Sequence, residues 1–427
     1  MLEINILRSQ RDHAKRALQK RMLSPEKLDL IDQVIQADDR RKRQQTELDQ
    51  LLNQVNLASK KIGMMFKEGR QQDAEELRNQ VNETKQEAKK LEENLRTSKD
   101  QITEWLLDIP NIPHDTVPAG ALPENNEIFQ GWSKALPDLP DNALPHWELA
   151  EKFGLFDLKL GVKITGSGFP VYRGKGAKLQ RGLINFFLAE ASLAGYEEIS
   201  PPLLVNEETA RATGQLPDKE GQMYMAERDN LYLIPTAEVP ITNILRGSIL
   251  QETDLPVKMT GYTPCFRREA GSYGADVKGL NRVHQFDKVE IVQIAHPDHS
   301  YGALEEMLAH VTMLLEKLEL PYRILRLCGG DLGFTSSLTY DFEVYSAAQE
   351  RWLEVSSVSN FETYQSNRLM LRYRSQDRKP QLAHTLNGSA LALARVVAAL
   401  LENNQVNDRI LLPEALHTYT GFSSIDL

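Results

Sequence analysis

Two runs of seven-residue periodicity constrain this chain more than any other feature. Ile31, Val34, Asp38, Arg41, Gln45, Leu48, Leu52, Val55, Ser59 and Ile62 recur at alternating steps of three and four, and Leu77, Val81, Thr84, Ala88, Leu91, Leu95, Ser98, Ile102 and Trp105 do the same. That spacing puts each series on one stripe of an α-helix. Between them lies KEGRQQDAEE, where Gly69 suits the left-handed end of a helix. Two stripes joined by so short a turn predict an antiparallel helical hairpin, with about 40 residues per arm and a length on the order of 60 Å. Polar residues at Asp38, Arg41 and Gln45 weaken its seam. Outward residues such as Arg40, Lys42, Arg43, Lys60, Lys61, Lys85, Lys89 and Lys90 could meet phosphates. A plain dimerisation or spacer coiled coil would carry the same pattern, with its lysines simply solvated.

With 427 residues, the chain has length for two domains or one large one. No apolar run approaches 18 residues, and MLEINILRSQRDHAKRALQK is too charged for a signal-peptide core, so a soluble cytoplasmic protein with no membrane partner is expected. Cys265 and Cys328 lack metal-ligand spacing, which predicts two buried thiols rather than a zinc site or a disulfide. The net charge of −10 argues against a surface coated all over in nucleic acid. Residues 1–105 are close to neutral, with 21 Lys and Arg against 19 Asp and Glu, so the acidity belongs to the rest.

After Trp105, DIPNIPHDTVPAGALPENNE and ALPDLPDNALPH break helices with repeated prolines and read as a linker over 109–148. Beyond it, KLQRGLINFFLAEASLAG predicts a helix closed by Gly195, followed by the short strand YEEIS and Pro201-Pro202. The segments LYLIP, VKMTGYTP, FDKVEIVQI, YRILRL, LTYDFEVYS and RWLEVSSV read as strands, and a last helix, SALALARVVAALLEN, follows a turn at Asn387-Gly388. Helices among hairpin-spaced strands, without regular strand-helix-strand alternation, predict an α+β domain on an antiparallel sheet over 149–427. Neither a P-loop nor a dinucleotide fingerprint is present.

The stretch FRREAGSYGADVKGLNRVHQFDKVE gathers charges of both signs in an acidic chain. Such a loop calls for a ligand that also carries both signs, as ATP does together with a zwitterionic amino acid. Alternation along FDKVEIVQI puts Phe286, Lys288 and Glu290 on one face. This suits a purine-stacking ring beside an amine-binding acid. In RWLEVSSV the same alternation puts Glu354 with Ser356, and Leu353, Val355 and Ser357 opposite. A carboxylate and hydroxyls at a strand end could hold a magnesium ion bridging phosphates.

The order Phe266-Arg267-Arg268-Glu269, a glycine-containing loop, Arg282 with Phe286 four residues on, Glu354 with Ser357, and Arg395 on a helix resembles the class II aminoacyl-tRNA synthetases. Together with PTAEVP and HTLNGSALALAR, it resembles more narrowly the bacterial type of seryl-tRNA synthetase over essentially the whole chain. The resemblance implies an N-terminal tRNA-binding domain at 1–108, its arm spanning about 28–105, and a class II catalytic domain at 149–427. It implies ATP, L-serine and tRNA(Ser), with tRNA(Sec) as a further acceptor, as partners, Mg2+ entering with ATP, no zinc, and a homodimer with Pro202 of motif 1 at the interface.

By the same resemblance Arg267 and Arg395 are catalytic, and Arg267, Arg268, Glu269, Val283, Phe286, Glu354, Val355, Ser356, Ser357 and Arg395 hold ATP. Thr236, Ala237, Glu238, Arg267, Glu290, Asn387 and Ser389 hold serine, and Glu354 and Ser357 hold the metal. One departure is that Ala390 and Ala394 stand where the family often has glycine, small residues that still allow close approach. Two rival expectations remain. A related enzyme that loads a carrier protein would lack the long arm, and a non-catalytic coiled-coil binding protein would have lost the ATP ligands.

Overall fold

A computed structural model describes residues 1–140, 142–269, 278–375, 377 and 379–427. It divides into two compact units, Met1–Gln19 with Leu23–Pro110, and Lys20–Met22 with Asn111–Leu427.

In the first unit, two short helices, Ile4–Ser9 and Arg11–Gln19, precede the long helices α1 (Pro25–Lys67) and α2 (Gln71–Asp108). Pro25 at the first helical position and Ser24 before it start α1, and Gly69, at φ 76°, turns the chain between the two. The α2 stripe is as expected, with Val81, Ala88, Leu95 and Ile102 buried and Leu77, Thr84, Leu91, Ser98 and Trp105 half-buried. On α1 one heptad row holds along the helix and the other only at its start, at buried Ile31 and Asp38. Val34, Leu48 and Val55 are buried, but the second row runs through Ala37, Gln44, Leu51 and Ala58, while Leu52 and Ser59 are exposed. Adjacent Leu51 and Leu52 fit either phase on pattern alone, and packing against Leu91, Leu95 and Ala88 selects Leu51. Asp38 does not loosen the seam as expected. It is buried and takes Arg8 at 2.8 Å, Arg41 at 2.7 Å and Lys42 at 3.0 Å.

The second unit is built on an eight-stranded sheet. Its strands in chain order are β1 (Glu127–Gln130), β2 (Glu197–Glu198), β3 (Val257–Phe266), β4 (Gln285–Ala295), β5 (Tyr322–Arg326), β6 (Leu338–Ser346), β7 (Arg351–Glu362) and β8 (His384–Ala392). They lie in the order β1-β5-β6-β7-β8-β4-β3-β2. Every pairing is antiparallel except β2 with β3. Three helices, α3 (Gly174–Leu193), α4 (Ser300–Lys317) and α5 (Leu393–Asn403), share one apolar core with strand residues such as Val289, Ile291, Phe342 and Val358. The fold is α+β. Cys265 and Cys328 are both buried free thiols. Among the described residues no helix is long and apolar enough to cross a membrane.

Two readings from the sequence are corrected. Asn387, Gly388 and Ser389 sit inside β8 rather than in a turn and helix start, and α5 begins at Leu393. β8 is a central strand buried on both faces, so its unbroken small and apolar run carries no period that separates strand from helix. On β7, Ser357 lies on the Glu354 face. The register passes from Ser356 opposite Phe342 to Glu354 opposite Glu343, leaving Val355 as an extra residue. This bulge breaks the alternation of side chains.

Candidate active site

The β3–β4 pair supplies the frame, with Cys265 opposite Phe286 and Glu290 opposite Gly261. Beyond β3 the backbone N–H of Arg267 donates to the His284 carbonyl at 2.9 Å, that of Arg268 to the Gln222 carbonyl at 2.9 Å, and that of Glu269 to Gln222 Oε1 at 3.0 Å. Glu269 adopts a φ of 48°, left-handed and uncommon for such a side chain. The following loop of the motif, residues 270–277, lies outside the described residues.

A cleft of about 1060 Å³ collects most of the predicted site. Thr236, Glu238, Arg267, Glu269, Val283, Phe286 and Glu290 line it, as do Glu354, Val355, Ser356, Ser357, Asn387, Ser389 and Arg395. Three predicted residues do not. Ala237 is buried in an apolar cluster with Ile241 and Val292, Pro202 is exposed, and exposed Arg268 lies 6.0 Å over the Tyr224 ring.

At one end is a desolvated polar group. Glu290 Oε2 lies 2.6 Å from Lys288 Nζ, with both side chains buried, and accepts from Thr236 Oγ1 at 3.3 Å and Ser389 Oγ at 3.5 Å. Glu238 accepts from Gln365 Nε2 at 2.7 Å. Burial pushes the Glu238 carboxyl up to about 7 and the Glu290 charge adds to this, against Gln365, Lys288 and Arg267. The buried Asn387 Nδ2 has no protein partner among the described residues. A buried donor of this kind is a group a ligand can satisfy.

The other end is rich in arginine. The Arg267 guanidinium lies 5.3 Å over the Phe286 ring, and Arg282 pairs with Glu269. Arg395 donates from Nε to the Asn281 carbonyl and from Nη1 to the Glu354 carbonyl, both at 2.8 Å. Behind it, Glu402 on the same helix accepts from His146 Nδ1 at 2.6 Å, and His146 Nε2 accepts from the Leu280 N–H at 2.8 Å. This fixes the tautomer, with the ring proton on Nδ1. The pair ties α5 to the backbone that carries Asn281.

The β7 bulge puts Glu354 opposite Glu343 and Ser357 opposite Asp341. Ser357 Oγ donates to Asp341 Oδ1 at 2.5 Å. Burial, with the charge of Glu354 next, pushes the Asp341 carboxyl well above the usual range. Among the described residues no three His, Cys, Asp or Glu side chains form a metal-holding group.

Sequence reasoning missed Gln365, Asp341, Asn281 and the His146–Glu402 pair as parts of the site's support. All but Asn281, which sits inside the 266–290 stretch, lie outside the motifs, and long-range contacts bring them in. Lys288 was legible on the Glu290 face, but its ion pair was not.

Residues 1–113 match the family model of the seryl-tRNA synthetase N-terminal domain, and residues 223–404 match that of the class II core domain of the G, H, P, S and T tRNA synthetases. The chain is 49% identical to a serine–tRNA ligase of Salinibacter ruber, covering 100% of this chain and 99% of the relative. It is 46% identical to that of Methylacidiphilum infernorum, covering 98% and 99%. It is also similar to the crystal structure of seryl-tRNA synthetase from Pyrococcus horikoshii complexed with ATP, with a TM-score of 0.93 and 33% identity over 100% of this chain and 99% of that one. With its helical hairpin, its antiparallel sheet and this cleft, the chain belongs to the seryl-tRNA synthetases, aminoacyl-tRNA ligases of class II.

Proposed function

We propose that this chain makes seryl-adenylate and pyrophosphate from serine and ATP in the cleft, and that the terminal 3′-hydroxyl of tRNA(Ser) then takes the seryl group. One observation carries the reading. A buried acid, lysine and hydroxyl cluster opens into an arginine-rich wall with an aromatic ring in one cleft.

An amino-acid carboxylate is ionised at neutral pH, so its attack on the α-phosphate requires no general base. It requires in-line placement and neutralised charge. Arg267 serves both the α-phosphate and the serine carboxylate, its planar fork reaching two oxygens at once. Phe286 stacks on adenine, Arg395 covers the opposite side, Val283 borders the base, and Glu269 accepts from the adenine amino group in exchange for Arg282. Glu238 and Thr236 receive the serine ammonium, and Glu290 the hydroxyl. Ser389, Asn387 and the Ala237 backbone complete the wall.

Glu354 and Ser357 fit Mg2+. Both offer hard oxygens, and Ser357, by donating its proton to Asp341, keeps its lone pairs available. Magnesium takes few protein ligands and keeps water and phosphate for the rest, so a full protein cage is not needed. When bound, it neutralises phosphate charge.

The hairpin holds tRNA(Ser), and tRNA(Sec) where present, by shape and backbone. The protein works in the cytoplasm as a homodimer through the motif 1 region, where Leu193 of α3 stands 82% exposed. The test is acylation of a tRNA(Ser) transcript with labelled serine. An alkali-labile seryl ester that requires ATP and survives anticodon changes is expected, and folded protein that forms none overturns the reading.

A further inference from the structure

We propose that Lys288 determines side-chain specificity. By neutralising Glu290, it makes the pocket read a neutral hydroxyl and reject a second ammonium. This rests on reading the Glu238–Glu290 end of the cleft as the serine site.

The geometry is asymmetric in a useful way. Lys288 and Glu290 are neighbours on one face of β4, with side chains 7% and 2% exposed. The Lys288 ammonium and the Thr236 and Ser389 hydroxyls all meet the same carboxylate oxygen, Oε2. Among the described residues no hydrogen bond falls on Oε1. The strand register helps to make this so. Lys288 pairs with Ala392 and Glu290 with Ser389, a step of two on β4 against three on β8, which sets the Ser389 hydroxyl beside Glu290. One oxygen is occupied by donors, and the other remains for a substrate.

The charges then resolve into pairs. At the Glu238 end of the cleft the charged groups acting on that carboxyl are Glu290, Lys288 and Arg267, two carboxylates against two cations. A serine zwitterion brings one charge of each sign. Its ammonium meets Glu238 and its carboxylate meets Arg267, while Lys288 already holds Glu290, so the side-chain end of the pocket is neutral and suits a hydroxyl. Without Lys288, Glu290 would be a buried carboxylate with no cation, a costly state that a cationic side chain relieves. The matching probe is L-2,3-diaminopropionate, which has the shape of serine but carries an ammonium in place of the hydroxyl.

The experiment measures ATP/pyrophosphate exchange by the full-length chain with each amino acid at neutral pH. Lys288→Met should lower the ratio of kcat/KM for serine over diaminopropionate by at least about tenfold, with KM for ATP unchanged. Lys288→Gln keeps a donor without the charge and tests the same point if the methionine variant does not fold by circular dichroism. Lys288→Met combined with Glu290→Gln removes both charges and should bring the ratio back to within about threefold of the parent, a coupling that two independent losses would not give. An unchanged ratio in the single variants, whether serine activity falls or not, overturns the role of Lys288. If Glu290→Gln also leaves kcat/KM for serine unchanged, it is the assignment of the pocket that fails.

Discussion

Glu354 and Ser357 share one face of β7 although they stand three positions apart on a strand, because Val355 is bulged and Ser356 and Ser357 resume pairing with Phe342 and Asp341. The bulge creates a carboxylate–hydroxyl pair that strict alternation would have split. Glu354→Gln should lower exchange kcat by about 100-fold and raise the magnesium needed for half-maximal rate. Ser357→Ala should raise it as well. Ser356→Ala should not, since that hydroxyl donates to the Ser389 carbonyl at 2.6 Å. Magnesium titration of the three variants checks the set, and equal effects of Ser356 and Ser357 would contradict it.

Glu238 predicts how serine binding depends on pH. Its carboxyl is pushed up to about 7, chiefly by burial, and a cationic ammonium is best received by the ionised form. KM for serine should therefore rise as pH falls below about 7, approaching about tenfold per unit, while KM for ATP changes little. A serine KM that is flat from pH 8 to 5.5 would contradict this.

The same shift carries a stability sign. The folded state holds the Glu238 proton more tightly than the unfolded chain, so from the ordinary value of 4.5 up to about 7 stability falls as pH rises, and the penalty is complete above that. Glu238→Gln keeps an acceptor for Gln365 without the charge. At pH 8 it should stabilise the free protein by on the order of 1–3 kcal/mol while abolishing serine activation. Denaturant unfolding at pH 8 and pH 5 measures the difference, and a variant less stable at pH 8 would contradict the sign.

The hairpin buries its apolar seam within itself, through Leu48, Leu51, Ala88, Leu91 and Leu95. Replacing residues 31–102 by a short Gly/Ser connection should therefore leave serine-dependent exchange within about threefold. It should remove most tRNA charging. Charging by the intact chain should also weaken more steeply with salt than exchange does. Unchanged apparent tRNA affinity in the shortened protein would reduce the hairpin to a spacer.

Periodicity and motif order made much of this molecule legible. The α2 stripe, the long strands and the face of Phe286, Lys288 and Glu290 all follow from local rules. The failures share a cause. Leu51 and Leu52 were interchangeable until a partner helix chose between them. Val355 depends on the register against the preceding strand β6, which side-chain alternation within β7 does not show, and the central strand β8 depends on pairing with β4 and β7. Asp38 read as a weak point although Arg41 and Lys42 pair with it locally; its third partner, Arg8, lies 30 residues away. The His146–Glu402 pair spans 256 residues, and no local pattern announces it.

The most direct measurement is ATP/pyrophosphate exchange by the purified chain with each of the twenty amino acids in turn. A pocket that ends in the free oxygen of Glu290 should activate serine and exceed threonine, which is excluded by bulk, by at least about 100-fold. It should exceed alanine, which leaves the polar groups unpaired, by more. Exchange driven equally well by alanine, or by an amino acid other than serine, would contradict the account.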